Sequence, residues 1–160
     1  VINMKCRYAK CLLWFMLGAV TSIVIYMNFF TDNTKWNWQN LHHQAYTALH
    51  DEKYEHAIEI CDQAIKASTS SVDKYQMYVK KGKALNKLHR YEKALENADS
   101  AVAIYPKKEE AYLVKVDALF NLGREEELTT ILEEVISINP RTSYKPLLNF
   151  LRLDRGKANY

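Results

Sequence analysis

Glycine and proline are scarce in this chain, four and three among 160 residues, which argues against a fold of many short strands joined by tight turns. Cysteine is too rare to build a framework. Cys6, Cys11 and Cys61 are few and unevenly placed for disulfides; Cys61 reads as a small buried residue, and Cys6 and Cys11 flank an apolar run, where palmitoylation is one reading. Also absent are an HExxH pair, a glycine-rich phosphate loop and a nucleophile elbow. The sequence therefore presents no catalytic residue, no metal set and no cofactor cradle, and it does not read as an enzyme. The five histidines do not alter this: His43 and His50 share a helical face but lie about 10 Å apart along it by helical rise, too far for one metal without a third element. The triplet Glu125-Glu126-Glu127 suits a helix N-terminus, where negative charge meets the dipole. A large charge of one sign is missing as well. The net charge is +3, and setting aside Lys5, Arg7, Lys10, Lys35 and Asp32 leaves equal numbers of basic and acidic residues, so the electrostatic footprint of a nucleic-acid binder is absent.

What is abundant is apolar and helix-forming. Hydrophobic residues make up 48% of the chain, ample for a core, and Ala, Leu, Lys and Glu dominate from Trp38 onward, which predicts an all-α fold. Tyr75–Pro106 reads as two amphipathic helices joined by a turn: Tyr78, Gly82, Leu85 and Leu88 fall on one side of the first, and Tyr91, Ala94, Leu95, Ala98 and Ala101 recur at helical spacing in the second. The pattern returns 34 residues later, Pro140 after Pro106 and Gly123 after His89. These residues, YxxxGxxL from Tyr78 to Leu85, RYEKAL from Arg90 to Leu95, then Ala101 and Pro106, closely resemble a tetratricopeptide repeat, whose period is 34. An earlier copy carries KYEHAI, Lys53 to Ile58, offset by three further residues that the Ser/Thr-rich stretch Ala67–Ser71 takes up as a longer loop.

The resemblance implies an all-α array of helical hairpins, with repeats at 38–67, 75–106 and 109–140, a capping helix at 141–153 and a frayed tail at 154–160. Gly82, Ala94, Ala101, Pro106, Gly123 and Pro140 are the repeat-packing positions. Repeat three departs from the pattern, with Val116 in place of Gly82 and Leu128 in place of Ala94, so its helices should be spaced more widely. Leu147, Leu148, Phe150, Leu151 and Leu153 are expected to cover the end of the array.

Ahead of the repeats, residues 11–30 contain no charged side chain, and 20 residues at about 1.5 Å each match the roughly 30 Å hydrocarbon core, which predicts a transmembrane helix. A cleaved signal peptide is the rival reading, since Lys5, Arg7 and Lys10 in the flank 1–10 suit it; the length of the run and the lack of an Ala-x-Ala site favour an uncleaved signal anchor in the lipid bilayer. The same cations place the N-terminus in the cytosol and the repeats on the lumenal or extracytoplasmic side. The linker 31–37 is short, which keeps the repeats near the membrane.

In this family the first helices of successive repeats line a concave peptide groove. The resemblance puts there His42, His43, Tyr46 and His50 from repeat one, Val79, Lys80, Lys83, Asn86 and Lys87 from repeat two, and Val114, Asp117, Phe120 and Asn121 from repeat three. Lys80, Lys83 and Lys87 also share one stripe by spacing alone, a contact for acidic residues, with Val79, Val114 and Phe120 as apolar neighbours. Members that hold the acidic C-terminal tails of heat-shock chaperones use Lys and Asn, then Asn, then Lys and Arg at five groove positions. Here these are His42, Tyr46, Lys80, Glu110 and Val114, so that tail is disfavoured. The functional expectation is a membrane-anchored, non-catalytic adaptor or co-chaperone-like scaffold that binds a protein or peptide. A cytosol-facing docking receptor of the mitochondrial outer membrane and a lumenal or secreted chaperone helper remain as alternatives.

Overall fold

The computed structural model describes residues 21–23 and 38–157. The chain divides into two compact units, Val1–Gln39 and Asn40–Tyr160. In the first, residues 21–23 are helical and exposed; the rest of the run 11–30, its basic flank and the linker lie outside the described residues. Among the described residues no helix is long and apolar enough to cross a membrane.

Residues 38–157 form helices joined by short turns, and no strand occurs among the described residues. Helical residues 38–50 (α1) are followed by α2 (Tyr54–Ala67), α3 (Ser71–Lys87), α4 (Tyr91–Ile104), α5 (Glu109–Leu122), α6 (Glu125–Ile138) and α7 (Lys145–Lys157). From α2 onward each helix packs on the next, and α3 also packs on α5.

Three hairpin turns share one geometry. Glu52, His89 and Gly123 each take a left-handed conformation, at φ of 59°, 57° and 68°. The amide that follows donates back to the carbonyl five residues earlier: Lys53 to Ala48 at 2.9 Å, Arg90 to Leu85 at 2.9 Å and Arg124 to Leu119 at 3.1 Å. This is the Schellman closure of a helix end. Gly123 is thus a turn residue and not a packing position, since a Cβ built there would meet nothing within 4 Å. Pro106 and Pro140 are exposed in loops, so neither is a packing residue. The Pro106 carbonyl accepts from the Tyr112 hydroxyl at 2.9 Å.

Gly82, Ala94 and Ala101 are buried. A Cβ on Gly82 would lie 2.7 Å from Val114 Cγ1 and 3.5 Å from the Ala94 carbonyl oxygen. The tightest approach is therefore to α5 of the following hairpin, with α4 second. Around it the core is alanine-rich, with Ala94, Ala98, Ala101, Ala111 and Ala118 packed among Tyr75, Val79, Leu85 and Val114. Beyond α5 the core changes to larger aliphatics: Val116, Leu119, Leu128, Leu132 and Val135 pack with Leu148 and Leu151 of α7. Val116 and Leu128, the enlarged residues of repeat three, are both buried in this second cluster.

Two boundaries differ from those read in the sequence. The three-residue surplus does not lengthen the loop; α3 begins at Ser71, four residues ahead of Tyr75, and is longer than its neighbours. The serines cause this, because the Ser70 hydroxyl accepts from the Asp73 amide at 3.4 Å while the Ser68 hydroxyl donates to the Asp73 carboxylate at 3.2 Å. Together these start the helix early. At the other end α7 continues to Lys157, through part of the expected tail. Only Leu148 and Leu151 are fully buried under it; Phe150 and Leu153 remain 64% and 68% exposed.

One charged pattern repeats along the array. Lys81 of α3 pairs with Asp62 of α2 at 2.5 Å, Lys115 of α5 with Asp99 of α4 at 2.7 Å, and Arg152 of α7 with Glu133 of α6 at 2.7 Å. Each pair joins the second helix of one hairpin to the helix that follows.

Candidate functional site

The residues expected to line the groove lie on α1, α3 and α5, and burial sorts them into two layers. Val79 and Val114 are core: Val114 is 1% exposed, wedged against Gly82, and Val79 packs in the same cluster. They support the surface and do not line it. The close packing of α3 on α5 that needs Gly82 is what covers them.

The outer layer is polar with aromatic points. His43, Tyr46 and His50 of α1, Lys83 and Lys87 of α3, and Asp117, Phe120 and Asn121 of α5 are exposed, and His42, Lys80 and Asn86 are half-buried. Tyr46 and Phe120 are 58% and 60% exposed. Neither Lys83 nor Lys87 forms an ion pair among the described residues. The Asn86 amide donates to the Val114 carbonyl at 2.9 Å, leaving its buried side-chain oxygen without a partner. Asn121 donates to the Asp117 carbonyl, one turn back, at 2.7 Å.

Electrostatics tie the three helices together. Burial, then Lys80, pushes the His42 imidazolium pKa down, with Gln76 and Asp73 opposing. Burial also lowers Lys80, with Cys61 opposing and Lys83 adding. Asp117 is pushed up by burial against the pull of Lys87 and Lys83, so the α5 carboxylate shares its surroundings with the α3 cations. The Tyr75 hydroxyl donates to Glu110 at 3.0 Å. Glu110 is held low by its backbone amide first and by Tyr75 further on, although burial opposes. Cys61, fully buried, has its thiol pushed up to about 12 by burial, which makes it inert. Among the described residues no three His, Cys, Asp or Glu side chains converge as a metal site.

The helical hairpins, their shared turn closure and the period of their packing positions agree with one fold. A family model described as "Tetratricopeptide repeat" matches residues 109–142. The fold is that of tetratricopeptide repeats. "Protein STIP1 homolog" of Dictyostelium discoideum is 31% identical over 97 residues, 61% of this chain and 17% of that protein. The chain therefore spans a small part of that relative. Among solved structures, the Arabidopsis OM64 TPR domain superposes with a TM-score of 0.67 at 19% identity, covering 74% of this chain and 97% of that one. The second TPR domain of human RPAP3, solved in complex with the HSP70 peptide SGPTIEEVD, gives 0.65 at 19%, covering 74% and 98%.

Sequence reading missed the left-handed turn residues Glu52 and His89 and the ion pairs between hairpins. The second had a signal: Asp99 and Glu133, like Lys81 and Lys115, are 34 residues apart, and Asp62 precedes Asp99 by that period plus the three-residue surplus.

Proposed function

We propose that this chain is a non-catalytic adaptor that holds a peptide segment of a partner protein on the tetratricopeptide surface built by α1, α3 and α5. The observation that carries this is that Lys83 and Lys87, which form no ion pair among the described residues, act on Asp117 of the neighbouring α5, the helix on which Phe120 is exposed. Exposed ion pairs contribute only about 0–1 kcal/mol each, so a peptide that combines an acidic residue with an apolar anchor suits this surface better than charge alone. With Val79 and Val114 buried, Phe120 supplies the anchor contact. The likeness to a peptide-bound domain supports the mode of binding, while Glu110, Val114 and the half-buried Lys80 argue against a chaperone tail as the peptide. Changing Lys83 and Lys87 to Glu should weaken partner capture and reduce its salt dependence, and Phe120→Ala should weaken it at every salt concentration. Pull-downs with the full chain decide this: retention of partners by both variants removes the assignment.

We further propose that residues 11–30 anchor the chain in a bilayer with the repeats on the lumenal or extracytoplasmic side. The support is the uncharged run and the preceding Lys5, Arg7 and Lys10. Ala67→Asn completes an Asn-Ser-Thr acceptor while leaving the hydroxyls of Ser68 and Ser70 in place. Glycosylation of this variant in microsomes is the expected result; absence of glycan with membrane association favours the cytosol-facing mitochondrial alternative.

A further inference from the structure

Among the described residues the second helices of the hairpins, α2, α4 and α6, do not pack on one another; α3 and α5 lie between them. At the first junction a side chain bridges the gap. Arg90, at the start of α4, donates to both carboxylate oxygens of Glu55 on α2, at 3.0 and 2.6 Å. The residues equivalent by repeat spacing at the next junction are Arg124 and Glu92, and that bridge is not made. Arg124 instead donates to both oxygens of Glu127 on its own helix, at 2.6 and 2.5 Å. One residue explains the difference: repeat two has Lys93 where repeat three has Glu127, so Arg90 meets no acid three positions on.

Among the described residues Glu92 is left without an ion pair, and so is Glu96 one turn later. Where the bridge is missing a cavity of about 420 Å³ opens, with Leu95, Leu119 and Ile131 as apolar lining and the two free carboxylates on its α4 wall. The other charges around it neutralise each other, Lys115 with Asp99 and Arg124 with Glu127. Two like charges four residues apart on a helix repel, and an incoming cation would relieve them. The neighbouring junction shows the cation that fits, a planar guanidinium bidentate on a carboxylate.

We propose that this cavity binds a partner-protein segment that presents an arginine beside an apolar side chain, the guanidinium engaging Glu92 as Arg90 engages Glu55. The apolar side chain covers Leu95, Leu119 and Ile131. The site is lined by α4, α5 and α6 and shares no residue with the surface that carries Lys83, Lys87 and Phe120.

The test titrates the full 160-residue chain into a fluorescein-labelled helical peptide carrying one Arg and one Leu on the same face, followed by anisotropy. Glu92→Gln combined with Glu96→Gln should weaken binding about tenfold, equivalent to about 1.4 kcal/mol. Glu127→Lys, which restores the repeat-two residue, should release Arg124 to Glu92 and weaken binding similarly without lowering the melting temperature. Glu59→Gln, at an exposed carboxylate of α2 outside the cavity, should leave binding unchanged. The proposal is overturned if the parent peptide does not bind, if a peptide with Glu for Arg binds equally well, or if the Glu92 and Glu96 changes have no effect.

Discussion

A single absent methyl group at Gly82 sets how closely two hairpins approach. Val114 Cγ1 occupies the space that a Cβ would need, and Val114 is itself buried and cannot swing into solvent. Gly82→Ala should therefore cost about 1–3 kcal/mol through overpacking. Gly123→Ala should cost roughly 1–2 kcal/mol through backbone conformation alone, since its φ is positive and its surroundings are open. Urea unfolding of both variants checks this, and a Gly82→Ala protein as stable as the parent would remove the wedge. His42 gives a second residue-scale expectation. Its folded-state pKa is lowered from 6.5, so the unfolded chain binds the proton more readily. The associated stability is complete above about pH 6.5 and is lost as pH falls through the folded value. Thermal melts across this window should show a slope that His42→Gln reduces. Legibility at this scale is uneven: Ala94 and Ala101 are correctly read as buried, but Val79 and Val114, assigned to the groove by repeat position, are core. Position in a repeat says which way a side chain leaves its helix; it does not say that the next helix lies over it.

Among elements, the turns show which chemistry a sequence reveals. Gly123 announces a left-handed residue because glycine reaches positive φ without a Cβ penalty. Glu52 and His89 adopt the same conformation without that signal, held by the closure bonds around them. The His89 ring lies edge-on to Tyr91, with its Nδ1 2.6 Å from the Tyr91 hydroxyl, so replacing it would change several contacts. The Glu52 side chain forms no hydrogen bond or ion pair among the described residues and is exposed. Glu52→Gly should stabilise the chain by about 0.5–1 kcal/mol, the relief of left-handed strain being partly offset by greater freedom in the unfolded state. A lower melting temperature for this variant would show that the turn is not strained. The early start of α3 escaped sequence reading for a related reason: Ser and Thr favour loops and helix caps alike, and only the positions of Ser68 and Ser70 relative to Asp73 decide between them.

On the scale of the whole array, adjacent hairpins are joined by apolar packing and by the recurrent pairs Asp62–Lys81, Asp99–Lys115 and Glu133–Arg152. The cations of the first two pairs are 20% and 18% exposed while their acids are more than half exposed. Each pair is thus partly screened and should contribute no more than about 1 kcal/mol, so apolar packing dominates cohesion and the pairs set the register of one hairpin on the next. Charge exchange separates these roles. Lys81→Glu alone places a second carboxylate beside Asp62 and should lower stability, with less effect at high salt. Asp62→Lys combined with Lys81→Glu restores opposite charges at the same positions. The double variant should then be more stable than the sum of the two single changes predicts, and the coupling should shrink as salt rises. Melting temperatures of the four proteins at low and high salt measure it; strict additivity at low salt would mean that the pair carries no coupling and that alignment of the hairpins rests on the Gly82 and Val114 contact and its aliphatic counterpart around Leu128.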